Sequence, residues 1–337
     1  MKNEHTQIDA VIAWVDGNDR NHHKKRLDTF RKVSEKEEHS LPTSFDNTRF
    51  RDNGELRYCI SSIIKFAPWI RNIYVVTDNQ VPGFLTPEIQ DRYNIHIVDH
   101  KDIFESYEWA LPTFNTRSIE TALWRIPGLA PRFIYFNDDF VITNPVTPED
   151  FFVEGKVVLR GHWDPISTYG PGRLMLNDVG SVVAKNVLGI TRSMHLLLQI
   201  KSAELAGFSE QYFRIPHVPH PIVTDTLKTF FTKNPELFEE NIQYRFRNRD
   251  QFSAIFLAHH LEIKEDNAVL RDAGDSLMLN GEIDFLPLIN LKLKKIKGDR
   301  ILFVCLQGLE KFNKYYRQKI EYAFDSMFDA GKKAIRL

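Results

Sequence analysis

Phe133, Ile134, Tyr135 and Phe136 run straight into Asn137, Asp138 and Asp139. Four consecutive apolar residues suit a short buried strand, and the polar trio then falls where the strand ends and the backbone turns. Two adjacent carboxylates there can hold a hard divalent cation against a phosphate, and in open α/β sheets ligands gather at the carboxyl ends of strands. Asn and Asp also follow strands because they make side-chain turns with their own backbone. A second acidic turn, Asp16-Gly17-Asn18-Asp19, closes the apolar run of residues 8–15. If the two strands are near neighbours, Asp16, Asp19, Asp138 and Asp139 converge on one crevice, which suits Mg²⁺ or Mn²⁺ bound through oxygen.

A basic set and an imidazole set complement these acids. Arg49, Arg51, Arg57, Arg117 and Arg125 lie in the first half of the chain, and Arg245, Arg247 and Arg249 in the second. Guanidinium groups pair bidentately with phosphate oxygens and keep their charge when buried, so the set suits a diphosphate ligand. The competing reading is solvated surface pairs, which contribute little. In His217-Val218-Pro219-His220-Pro221 two prolines fix the backbone and hold two imidazoles in set directions. Rigid placement serves a general acid or base, or a phosphate-contacting histidine, and equally a hydrogen-bonded turn. Zinc fits poorly, because the spacing is not the helical pair of metalloproteases and no cysteine pair accompanies it. Cys59 and Cys305 each sit in an apolar pattern and read as buried free thiols. The adjacent pairs His22-His23 and His259-His260 diverge on any regular element and are expected to be surface or partly buried residues. No Gly-rich phosphate loop and no nucleophile elbow around a serine occurs.

The elements that must position these groups alternate. Residues 8–15, 73–77, 95–98 and 133–136 read as strands. Leu56, Cys59, Ile60, Ile63 and Ile64 recur at helical spacing behind a cap at Asp52 or Asn53, and Ile119, Ala122, Leu123 and Ile126 behind a cap at Asn115. Residues 20–38 form a charged helix, and residues 35–47 a surface loop able to cover a site. The expected fold is therefore α/β, a mostly parallel Rossmann-like sheet flanked by helices. After Asp150 the rhythm loosens into a mainly helical half. It has a strand at 157–159, a Gly-rich turn near 169–173, helical segments after Asn186 and Ile222, a strand at 301–306 and an amphipathic helix at 309–328.

Composition narrows the function classes. A formal net charge of -1 over 337 residues provides no whole-protein field to recruit nucleic acid or an anionic membrane, so any anion site is local. The start of the chain is polar, and no stretch reaches the apolar length of a membrane span, which points to a cytoplasmic protein. Lys292, Lys294, Lys295 and Lys297, interleaved with Leu293 and Ile296, form either a solvated face or a contact for an anionic surface.

Four ordered blocks together resemble the Stealth family, sugar-phosphate transferases of bacterial capsule synthesis related to the catalytic subunit of lysosomal-enzyme GlcNAc-1-phosphotransferase. They are residues 8–19; residues 49–80 with Arg51-Asp52-Asn53-Gly54-Glu55-Leu56-Arg57, continuing to 133–139; His217-Val218-Pro219-His220; and residues 303–306 with 324–328. Gln307-Gly308 departs from the Asn-Asp that relatives tend to show there. The resemblance implies a glycosyltransferase A-like fold in which residues 1–160 bind a nucleotide sugar and residues 161–337 complete the same catalytic domain. It implies transfer of a hexose or hexosamine 1-phosphate from a UDP-sugar to a glycan hydroxyl, releasing UMP. Asp138 and Asp139 map onto the metal and diphosphate, His220 and Arg245 onto the reacting phosphoryl group, and Arg51, Asp52 and Asn53 onto the donor, with Arg57, Arg117, Arg125 and His217 as further donor contacts. His220 is the expected base, with Asp16 or Asp19 as alternatives. Expected partners are the donor, a glycan acceptor and, peripherally, capsule-assembly machinery at the inner membrane face. Two other readings compete: a metal-dependent glycosyltransferase releasing UDP, and a non-catalytic glycan-binding module.

Overall fold

Residues Ile8–Ala13 form β1, buried along almost its whole length. A strand covered on both faces reads as a near-continuous apolar run, which is how IDAVIA reads apart from Asp9. The computed structural model, which describes residues 7–33, 53–166 and 194–329, continues from β1 in the expected rhythm. Helices Arg20–Val33 and Glu55–Phe66 lead to β2 (Ile73–Thr77), helix Pro87–Tyr93 to β3 (Ile95–Asp99), and helix Thr116–Ala122 to β4 (Arg132–Asn137). β1 pairs in parallel with β2 and with β4, and β2 pairs in parallel with β3. Ala13 lies opposite Asn137, so the chain leaves β1 beside the point where it leaves β4.

From there the chain passes through β5 (Phe140–Ile142), β6 (Phe152–Val153), β7 (Lys156–Arg160) and β8 (His162–Pro165). In the second half β9 (Gln211–Arg214) pairs with β8, and β10 (His220–Val223) pairs antiparallel with β4, placing His220 opposite Tyr135. The main sheet therefore has the order β10-β4-β1-β2-β3, mostly parallel, with its outer strand supplied by the second half. β11 (Ala268–Arg271) extends β7, while β12 (Ser276–Asn280) and β13 (Phe303–Gln307) form a three-stranded sheet with β5.

The two faces of the main sheet carry separate cores. Leu56, Cys59, Ile60 and Ile63 pack against one face, and Ile119, Ala122 and Leu123 against the other. Asp9 ties the base of the sheet together: its buried carboxylate accepts from Arg71 Nε and Nη2 at 2.8 and 2.6 Å and from the Ala130 amide at 2.7 Å.

The details depart from expectation where backbone geometry overrides side-chain pattern. Helix Glu55–Phe66 starts at Gly54, whose φ of 95° glycine adopts freely, with no capping side chain; Asn53 is not the cap, and Asp52 lies outside the described residues. The stretch 309–328 is split. Phe312 is extended, so a short turn at Leu309–Lys311 precedes helix Lys314–Asp329. His22, His259 and His260 are fully buried rather than exposed or partly buried. Helix Ala254–Lys264 is apolar on nearly all sides and is enclosed accordingly, taking both of its histidines inside. The second half also holds β9 to β13, more strand than its loosened pattern suggests. The expected loop at 35–47 and turn at 169–173 lie outside the described residues. Among the described residues no helix is long and apolar enough to cross a membrane.

Candidate active site

A cleft of about 1170 Å³ opens where β1 and β4 end and β10 begins. Its lining includes Asp138, Asp139, Arg117, Arg247, His217 and His220, so the acidic, basic and imidazole groups separated in sequence share one space. The connecting device is β10. By pairing with β4 it sets the proline-framed histidines against the strand that delivers the acids.

The acidic end is held from both sides. Cys305 of β13 donates its thiol to Asp139 Oδ2 at 3.4 Å, and Cys59 donates to the Asn137 carbonyl at 3.8 Å; both thiols are buried and free. Asp139 Oδ1 is buried without a hydrogen-bond partner, and burial raises this carboxyl to about 6. Asn137 Oδ1 accepts the Tyr135 hydroxyl at 2.8 Å. Among the described residues no group of three or more His, Cys, Asp or Glu converges as a protein-only metal cage. Mg²⁺ does not need one, since it commonly keeps water and takes one or two carboxylates plus substrate phosphate. Asp138 and Asp139, with one carboxylate oxygen left unsatisfied, fit that pattern.

Asp16 and Asp19 are brought to the neighbouring strand end but serve their own turn. Asp16 Oδ1 accepts from the Asn18 amide and Asp19 Oδ1 from the His22 amide, each at 2.8 Å. Neither lines the cleft.

The arginines divide. Arg117 is buried in the first turn of helix Thr116–Ala122, where Nη1 donates to the Asn248 carbonyl at 2.6 Å. Burial, then the nearby Arg247, push its pKa down to about 9, which leaves it cationic at neutral pH. Arg247 donates to Thr116 Oγ1 at 3.1 Å, and Glu120 opposes the effect of burial on it. Arg57, Arg125, Arg245 and Arg249 lie outside the cleft lining. Arg57 faces Asp325 at 3.9 Å, and Arg125 stacks on Tyr107 at 4.8 Å while donating to the Glu105 carbonyl. Arg245 donates to the Trp109 carbonyl, and Asn53 bonds Glu55 and Glu310. Arg49, Arg51 and Asp52 lie outside the described residues.

Glu120 is the cleft residue that sequence reasoning missed. Its carboxylate accepts from the Ser253 hydroxyl and lies within hydrogen-bond distance of the Tyr135 hydroxyl, each at 3.2 Å, and burial raises its pKa. The spacing Arg117-x-x-Glu120 on one helix face was the available signal. His195 was also missed, and no local pattern marks it; its ring meets that of His217 at 4.2 Å. His220 is buried among Tyr135, Phe140, Phe256 and His259, and its Nδ1 has no hydrogen-bond partner. Burial, reinforced by His259, His217 and His195, holds its pKa well below the usual value, and burial alone takes His217 to about 4. Both imidazoles are therefore neutral near pH 7.

Residues 49–159 match the family model described as Stealth protein CR2, conserved region 2. The chain is 32% identical over 266 residues to the receptor polysaccharide phosphotransferase WefC of Streptococcus gordonii, covering 72% of this chain and 74% of that protein. It is 28% identical to the capsular polysaccharide phosphotransferase fcs1 of Haemophilus influenzae, covering 97% and 85%. Among solved structures, galactosyltransferase LgtC aligns over 96% of this chain and 98% of its own with a TM-score of 0.44 and 9% identity. The extent of the sequence match, spread over both halves of the cleft, establishes that the chain belongs to the Stealth family of phosphotransferases.

Proposed function

We propose that the protein transfers a hexose or hexosamine 1-phosphate from a UDP-sugar to a hydroxyl of a capsular or extracellular glycan, forming a phosphodiester between sugars and releasing UMP. The observation that carries this reading is the meeting, in one cleft, of Asp138 and Asp139 with Arg117, Arg247 and the neutral His220. Phosphoryl transfer asks a protein mainly for positioning and for charge around the phosphoryl oxygens. Arg117 and Arg247 supply fixed positive charge at a diphosphate, and Glu120 keeps that pair of like charges tolerable in a partly buried site. Asp138 and Asp139 would hold Mg²⁺ or Mn²⁺, which when bound would supply positive charge against the phosphate oxygens of the donor.

The acceptor oxygen attacks the β-phosphorus, and the bond from that phosphorus to the oxygen bridging to the α-phosphate breaks. UMP departs with the bridging oxygen. His220 takes the acceptor proton and returns it to solvent. A buried imidazole that stays neutral is always in the accepting form, at the cost of basicity. Asp16 and Asp19 are weaker candidates for that role, since their carboxylates are committed to turn amides.

The decisive experiment identifies the nucleotide released on incubation with UDP-sugars, Mg²⁺ or Mn²⁺ and capsule oligosaccharide. UMP with phosphorus retained in the glycan supports the proposal. UDP means glycosyl transfer, and binding without any nucleotide product means a glycan-binding module. His220→Ala should lower turnover by about 10² to 10⁴-fold; unchanged turnover refutes its role as the base.

A further inference from the structure

Five of the ten large hydrophobic residues exposed among the described residues lie in one lobe: Ile283, Phe285, Leu291, Tyr315 and Tyr322. Phe285 and Tyr315 are each 60% exposed, Leu291 51% and Tyr322 73%. They belong to helices Leu286–Ile296 and Lys314–Asp329, which pack on each other, or to the turn just before the first. Single exposed apolar residues are ordinary, but such a concentration in one lobe marks an interaction surface.

The charges of the lobe say what kind. Its acids are largely occupied: Asp284 holds Lys292, Glu282 holds Lys311, and Glu321 holds Arg317. Lys292 is therefore a strut rather than part of an open patch, donating also to the Met278 carbonyl at 2.7 Å. Lys294, Lys295, Lys297 and Arg300 are exposed at and just after the end of the helix that carries Leu291, with Asp299 as their acidic neighbour. On helix Leu286–Ile296, Leu291 falls between Lys294 and Lys295 around the axis, so the basic and apolar groups share one face. Tyrosines with one wet and one apolar end, exposed apolar side chains and lysines gathered on two packed helices are the composition of a membrane-interface contact.

We propose that this lobe docks the protein on an anionic phospholipid bilayer, with Phe285 and Leu291 entering the headgroup boundary and Lys294, Lys295, Lys297 and Arg300 meeting lipid phosphate. Ile283 belongs both to this surface and to the lining of the cleft, so docking sets the bilayer at the cleft's edge, where a lipid-borne glycan acceptor can reach the site. The surface is independent of the groups placed in catalysis.

The test is co-sedimentation of the full chain with vesicles of phosphatidylcholine alone or with about a third phosphatidylglycerol. Binding should require the anionic lipid and weaken with salt. Lys294→Gln with Lys295→Gln should weaken it about fivefold for each lysine, and Phe285→Ser with Leu291→Ser about tenfold or more. All four positions are exposed, so melting temperature and turnover of soluble substrates should not change. Failure of the unaltered chain to bind anionic vesicles, or binding by both variants as strong as that of the unaltered chain, overturns the proposal. So does lipid-free self-association that Phe285→Ser with Leu291→Ser abolishes, which would assign the patch to a second copy of the chain.

Discussion

Replacing His100 by leucine should make the protein more resistant to acid. His100 follows β3, is buried, and has no hydrogen-bond partner at either ring nitrogen. Burial lowers its pKa to about 4, with Asp78 and Asp99 pulling the other way and His22 and Lys25 adding to the depression. Because the folded value lies below the unfolded value of about 6.5, the unfolded chain takes up the proton first as pH falls. The stability contributed is therefore complete above about pH 6.5 and is lost towards pH 4. A displacement of this size is worth about 3 kcal/mol in full, of which about 2 kcal/mol is already gone at pH 5. Leucine has no proton to bind and leaves no hydrogen bond unmade. Urea unfolding of both proteins, run at a series of pH values, should show the difference in free energy moving by about 2 kcal/mol in favour of His100→Leu between about pH 8 and pH 5. A difference that stays constant over that range would refute the argument that His100 is buried as the neutral imidazole.

Other outcomes follow from single contacts. Asp9→Asn leaves Arg71 without its charge partner at the base of the sheet and should cost about 3 kcal/mol or more, read as a fall in melting temperature with little pH dependence near neutrality. Arg247→Lys keeps the charge but loses the planar fork; turnover should fall about tenfold or more while the melt is preserved, and an unchanged rate would remove Arg247 from the site. Cys305→Ala deletes the thiol that orients Asp139, so half-saturation with Mn²⁺, followed by paramagnetic resonance as well as by turnover, should need about tenfold more metal. Cys305→Ser, which restores a donor, should recover most of that affinity if orientation is the cause.

The elements themselves were largely legible. β2 and helix Glu55–Phe66 lie where periodicity put them, because burial on two faces or along one stripe is written into local residue order. Asn115 caps its helix as expected, accepting from the Arg117 amide at 3.2 Å, since an Asx side chain reaches its own backbone wherever the rest of the chain goes. Gly54 shows the limit. A left-handed backbone at a helix start is decided by how the incoming chain approaches, which capping patterns do not encode.

Sequence alone determined the alternation of strand and helix, the acidic strand end, the rigid histidine pair, the buried free thiols and the family. Which of these groups work together was decided by tertiary structure. Arg57, Arg117 and Arg125 are alike as residues, yet the fold sends only Arg117 to the cleft, laying Arg125 on aromatic rings and turning Arg57 towards Asp325. Asp16 and Asp138 emerge from adjacent strands, but hydrogen bonds within the turn keep Asp16 for the backbone. His220 meets the acids only because β10 pairs with β4 across a long stretch of chain. The physical reason is common to all three. Secondary structure reports the chemistry of near neighbours, whereas a site is a coincidence of side chains distant in sequence, brought together by strand pairing and the burial that accompanies it.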